Sequence, residues 1–211
     1  MIDVDAWGAR CRAFLSDRMA GDAAHDLGHV ARVVATARRL AQAERAELAV
    51  VVPAAWLHDA VTVPKDSPDR ARASRRAAAE AGRWLRAEGF PASLVPAVEH
   101  AVAAHSWSAG IAPETPEAAV VQDADRLDAL GAIGLARLYA TAGALGSALA
   151  HPTDPLADTD RALDDRQWAT DHVAVKLRGL AATMQTPAGR AEAARRAAFL
   201  EAFLAQLRTE L

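Results

Sequence analysis

His29, the adjacent pair His58-Asp59 and, far downstream, Asp125 supply imidazoles and carboxylates that together can bind one divalent metal ion. Nitrogen and oxygen donors without a thiolate favour Mn, Fe, Co, Ni, Zn or Mg over a cysteine-type structural zinc site. Four protein ligands leave open positions on an octahedral ion for water and a substrate oxygen, the arrangement that metal-assisted hydrolysis needs. A lone helical histidine is more often packed or surface-exposed than a ligand, so the argument rests on the pattern. His58-Asp59 closes the apolar run Ala54-Ala55-Trp56-Leu57, which sets both side chains at the rim of a core. His25 and His29 stand four apart on one helical face, with Asp26 beside them to orient an imidazole. The segment Gln122-Asp123-Ala124-Asp125-Arg126-Leu127-Asp128 holds more carboxylates than a buried helix tolerates without a counter-charge, which a dication would supply.

Groups suited to an anionic substrate accompany this set. Lys65 follows the His-Asp pair by the short loop Ala60 to Pro64, so its ammonium can reach past a metal toward a phosphate. Arg70 and Arg72 stand at the start of the next helix, where the helix dipole also favours an anion. His100 and His105 are five apart and fall on different faces of a regular helix, unless the helix ends before His105. That spacing is tight for a second metal. His172 and Lys176, four apart, either pair at the surface or contact a phosphate, and Trp107 beside His105-Ser106 could line a base-binding wall.

The elements that must position these residues read as helices from end to end. Alanine, leucine and arginine dominate, and alternating β-branched or aromatic runs are absent. The expected helices are 3–19, 25–43, 47–59, 69–88, 92–104, 116–142, 167–184 and 188–209, the sixth bending or breaking near Gly131 or Gly134. Val50-Val51-Val52 forms the first part of the third helix or its entry, with Pro53 near the start of the regular turn. Thr115-Pro116 and Thr186-Pro187 each place a capping hydroxyl before a proline at the first helical position, and Gly89 closes the fourth helix. Residues 149–165, with Pro152, Pro155 and many acids, read as a surface loop of the length that often forms a lid, and His151 as exposed within it. Trp7, Trp56, Trp84 and Trp168 are expected between helices.

With 211 residues the chain suits one well-buried domain. A hydrophobic content of 52% and a charged content of 24% are ordinary for a globular protein. The net charge of -3 argues against a general nucleic-acid binder, and no apolar run approaches a membrane span. Cys11, the single cysteine, has no internal disulfide partner, and the first residues carry acids where a signal peptide has lysines. These features lead to the expectation of a cytoplasmic protein; the oligomeric state is not legible.

The order His29, His58-Asp59, Asp125 resembles the metal signature of the HD-domain phosphohydrolases, an all-helical superfamily of metal-dependent phosphomonoesterases, phosphodiesterases and nucleotide hydrolases. The segments Ala24-His25-Asp26 through Arg32-Val33, Leu57-His58-Asp59, Ala104-His105-Ser106, Gln122 to Gly134 and Thr183-Met184-Gln185-Thr186 are similar to the small bacterial branch often called YedJ/YpgQ-like. The resemblance runs over essentially the whole chain. It implies an all-α fold, a single HD-type helical bundle over residues 1–211, with His29, His58, Asp59 and Asp125 ligating one metal. It also implies that His25, Asp26, Lys65, His100 and His105 lie around the pocket. Where the branch carries paired serines, this chain has Ala73-Ser74, so one contact would be missing if that pair touches substrate.

The resulting expectation is a metal-dependent phosphohydrolase acting on a nucleotide, with a triphosphate cleaved to monophosphate and pyrophosphate. Asp59, Asp128 and His25 are the candidates for taking the proton of the attacking water, while Lys65, Arg70, Arg72, His100, His105 and Lys176 are candidates for substrate contact. The alternatives are a phosphatase of nucleoside 5′-monophosphates and a non-catalytic sensor of metal and nucleotide. No nucleic-acid or membrane partner is expected.

Overall fold

Alanine-rich, strand-poor composition yields helices, and the only β feature among the described residues is an isolated parallel bridge between Ala148 and Trp168. The computed structural model describes residues 2–18, 27–61, 63 and 72–211. His25, Asp26, Lys65, Arg70 and the expected start of the fourth helix at residue 69 lie outside them. The chain divides into two compact units, Met1–Asp125 with Gln185–Gly189, and Arg126–Met184 with Arg190–Leu211.

The first unit contains α1 (Val4–Ser16), α2 (Leu27–Glu44), α3 (Leu48–Leu57), α4 (Ala73–Ala87), α5 (Val95–Ala104) and α6 (Pro116–Leu127) as far as Asp125. Its centre is α3. Every residue from Ala49 to Leu57 is buried, and the helix packs against α1, α2, α4 and α5. A helix apolar on all sides can only be an interior one. Pro53 lies well inside α3 rather than near its start, the helix having begun at Leu48 under the Glu47 cap. Trp7, Phe14, Trp84 and Phe90 pack edge-on and tilted beside it, with centroids 4.9 Å apart for Trp7–Phe90 and 4.4 Å for Phe14–Trp84. Cys11 is buried in α1, which pushes its thiol up to about 12 and leaves it an inert packing group.

Both expected proline-led starts are built as the sequence suggests. Thr115 Oγ1 accepts from Ala118 N and Thr186 Oγ1 from Gly189 N. Gly89 adopts φ +79° beyond α4.

The second unit holds α7 (Gly131–Leu145), α8 (Arg178–Leu180) and most of α9 (Pro187–Glu210). The expected helix 116–142 is two helices. Leu130 is extended, and Gly131 restarts the chain at φ +70°, with the Arg196 side chain 3.2 Å from where a Cβ would sit. Nor is 167–184 one regular helix. Residues Val173–Leu177 form a π turn, and Ala181–Thr183 a 3₁₀ turn. The wider π turn shifts the i,i+4 register that the spacing of His172 and Lys176 assumes. His172 Nδ1 meets Asp165 Oδ2 at 2.7 Å.

Residues 149–165 are also more tightly held than a solvated loop would be. Asp154 and Asp171 are buried, and Arg161 bridges them, its Nε 3.0 Å from Asp154 Oδ2 and Nη1 2.7 Å from Asp171 Oδ2. His151 is half-buried, its ring 5.2 Å from that of Trp168 and its Nδ1 accepting from Asp154 N. The acids of this segment are there to be clasped. No helix among the described residues is long and apolar enough to cross a membrane.

Candidate metal centre

Three short stretches of the first unit bring the chemical groups together: the first turn of α2, the end of α3 and the last turns of α6. His29 and His58 are buried, and the Asp59 and Asp125 side chains retain 21% and 27% exposure. The imidazoles therefore form the back of the site, and solvent reaches it from the carboxylate side. His29 Nε2 lies 3.4 Å from Asp125 Oδ1 and 3.9 Å from Asp59 Oδ2. His58 Nε2 lies 3.4 Å from Asp59 Oδ2 and 3.8 Å from Asp125 Oδ1. Donor atoms around an ion with bonds of about 2.1 Å stand roughly 3.0–3.4 Å apart, so modest contraction converts this cluster into a ligand shell.

His105 joins the same cluster. Its Nε2 is 3.7 Å from Asp59 Oδ1, and its ring centroid is 4.9 Å from that of His58. Two overlapping sets of donors result, His29-His58-Asp125 and His58-Asp59-His105, each with its atoms within 4.8 Å of one another. His58 and His105 are held in the same way. Each follows the last residue of its helix and directs Nδ1 at the carbonyl three residues back, Ala55 O at 2.8 Å and Val102 O at 2.6 Å. A ring nitrogen that donates to a carbonyl fixes the tautomer and leaves Nε2 as the lone-pair donor. This shared ending, an apolar helix stopping at a histidine, is the sequence signal that ties His105 to His58.

The electrostatics favour a cation. Burial works against an imidazolium at His58, but the Asp59 and Asp125 carboxylates outweigh it and raise its pKa to about 9. Burial likewise opposes ionisation of Asp59 and Asp125, and the surrounding histidines reverse that, holding both carboxyls well below the usual range. His105 moves the other way, lowered by burial and then by its neighbour His58. His58 Nε2 is fully buried and has no hydrogen-bond partner. A buried, unsatisfied nitrogen facing two ionised carboxylates suits a divalent ion, whose charge also offsets the acids.

The other predicted site residues among those described have surroundings of their own. His100 Nε2 accepts from Glu114 N at 2.9 Å. Asp128 is buried in the second unit, paired with Arg137 Nη1 at 2.7 Å, and a carboxylate so engaged is a poor base. Arg72 is the residue before α4 and makes no side-chain capping bond. Trp107 is 54% exposed.

Two residues had not been singled out. Gln122, buried on α6, donates from Nε2 to Ala104 O at 2.6 Å and so anchors the end of α5 immediately before His105. Asp123 is fully buried and accepts from Gln185 N, Thr186 N and Thr186 Oγ1 at 2.7–2.8 Å. Of the clustered acids, then, Asp123 is satisfied by the Gln185-Thr186 turn, Asp128 by arginine, and Asp125 faces the histidines.

Comparison with known proteins places the chain in a family. The HD domain family model matches residues 26–130. The uncharacterized protein YpgQ of Bacillus subtilis (strain 168) is 32% identical over 204 residues, covering 95% of this chain and 89% of that protein. The crystal structure of Bacillus subtilis YpgQ in complex with ADP superposes with a TM-score of 0.73 at 30% identity, covering 99% of this chain and 98% of that one. A crystal structure of a HD-superfamily hydrolase from Bacillus thuringiensis gives a TM-score of 0.73 at 29% identity, covering 98% and 95%. With the family model centred on the helices that carry these histidines and acids, the chain belongs to the HD domain family, among the HD-superfamily hydrolases.

Proposed function

We propose that this protein is a metal-dependent phosphohydrolase that cleaves a nucleoside triphosphate to monophosphate and pyrophosphate. The observation that carries the metal-dependent part is the pair of preset tautomers. His58 and His105 both spend Nδ1 on a backbone carbonyl and turn Nε2 toward the carboxylates. His29, His58, Asp59 and Asp125 are the ligands in this reading, and the match to YpgQ over 95% of the chain supports one HD-type unit spanning residues 1–211. The nucleotide part rests on the ADP held by that relative.

A divalent ion in this shell supplies Lewis-acid activation of water and of a phosphoryl oxygen. The protein's own contribution is placement. The i−3 carbonyls hold two imidazoles rigid, Gln122 holds the end of α5, and the partly exposed carboxylates face the approaching substrate. In this reading Lys65, Arg70 and Arg72 offset charge on the phosphate chain.

The test is a screen of phosphate and pyrophosphate release over nucleoside mono-, di- and triphosphates with Mn, Co, Ni, Zn and Mg. Stoichiometric pyrophosphate from triphosphates supports the proposal. Orthophosphate from monophosphates would make the protein a phosphatase instead, and tight binding without release would make it a sensor.

A further inference from the structure

We propose that the groove between α1, α2 and α3 is a second ligand site, one that takes a small phosphate-bearing molecule. The groove is open to solvent and offers about 440 Å³ of space along its floor, room for more than a bare phosphate. None of its lining residues belongs to the metal cluster, so the inference does not depend on the proposed hydrolase activity.

The lining is rich in donors and poor in acceptors. Trp56 forms part of the wall, is 9% exposed, and its indole N–H donates to no residue described in the structure. Arg12, from α1, is exposed and its guanidinium likewise has no partner among the described residues. Arg38, from α2, is paired at 2.6 Å with Asp5 Oδ1, but the Asp5 side chain is 87% exposed. An ion pair so open to water holds its arginine weakly. Ser16 donates its hydroxyl to Arg12 O, so it offers lone pairs and no further donor.

Two guanidiniums and an indole N–H that opens onto the groove therefore line one surface, opposed by a single carboxylate. Guanidinium forks match phosphate oxygens in pairs, and an N–H that meets no protein acceptor can add a bond to one of them. The small residue Gly8 has a separate cause: a Cβ there would stand 3.3 Å from Val52 Cγ1, so glycine serves the approach of α1 to α3. It is the donors that point to a ligand.

Calorimetric titration with ribose 5-phosphate, inorganic phosphate and ribose tests the assignment, on the wild-type protein and on Asp125→Ala. Saturable binding of ribose 5-phosphate, undiminished by Asp125→Ala and absent for ribose, is expected. The double change Arg12→Ala with Arg38→Ala should weaken it by on the order of tenfold or more, and Trp56→Phe by less. Asp5→Ala, which frees Arg38 and removes the opposing charge, should tighten binding, an outcome that damage to the fold would not produce. Inorganic phosphate binding as well as ribose 5-phosphate would limit the site to the phosphate group. Absence of saturable binding, or binding lost in Asp125→Ala yet indifferent to both arginines, would overturn the proposal. Metal content, measured on the same samples, reports separately on the cluster.

Discussion

Asp123 and Asp125 are two residues apart, and the structure gives them opposite jobs, so replacing each with alanine should fail in different ways. Asp123 is fully buried and accepts three hydrogen bonds of 2.7–2.8 Å, from Gln185 N, Thr186 N and Thr186 Oγ1. Bonds to a charged acceptor contribute roughly 1.5–3 kcal/mol each, and are not additive when they share one carboxylate. Asp123→Ala also strands buried donors, so a loss of about 3–5 kcal/mol is expected. For a chain of this size that lowers Tm by roughly 10 °C. Below its transition the variant should still bind metal with wild-type stoichiometry. Asp125→Ala should do the reverse, losing metal affinity by more than the ~10- to 100-fold typical of residues behind the ligands. Differential scanning fluorimetry and metal titration of both variants make the comparison. The reasoning is refuted if Asp123→Ala melts with the wild type, or if it loses metal while Asp125→Ala keeps it.

Arg161→Leu should cost about 3–5 kcal/mol, because it leaves the buried Asp154 and Asp171 carboxylates without their guanidinium. Limited proteolysis should then cut within residues 149–165 far faster than in the wild type. Glu192 is held at about 2 against an ordinary 4.5, chiefly by its hydrogen bond to Arg195 and also by Arg196. Because its folded pKa is the lower one, the stabilisation is complete above 4.5 and drains away as pH falls from there toward 2. Arg195 is largely exposed, so solvent screening limits it to about 1 kcal/mol. In urea melts across that range Glu192→Gln should flatten this part of the acid dependence, and an unchanged slope would remove the assignment. Gly134→Ala would drive a Cβ into the Ala129 carbonyl and should destabilise by several kcal/mol. Gly143→Ala, on the same helix with open space around it, should stabilise by about 0.5–1 kcal/mol, and thermal melts of the two separate crowding from propensity.

Much of the site was legible because its signals are local. An apolar helix that stops at His58-Asp59 announces a polar rim, and Thr115, Thr186 and Gly89 are caps whose chemistry is set by neighbours in sequence. What escaped depended on partners distant in the chain. The acids from Asp123 to Asp128 look alike in sequence, yet one meets the turn at Gln185-Thr186, one the histidines and one Arg137. The same is true of 149–165, where only the meeting of Arg161 with Asp154 and Asp171 turns an acidic loop into a clasp. The break before Gly131 was half visible. The φ of +70° is what calls for glycine there, and the Arg196 side chain 3.2 Å from a Cβ position adds a crowding that only the fold reveals.

Anomalous diffraction from a crystal grown with Mn²⁺ shows directly whether one cluster holds the working metal. One strong peak is expected within about 2.3 Å of His29 Nε2, His58 Nε2 and carboxylate oxygens of Asp59 and Asp125. A peak bound by other residues, or none at this cluster in a protein that hydrolyses triphosphates with Mn²⁺, would contradict it.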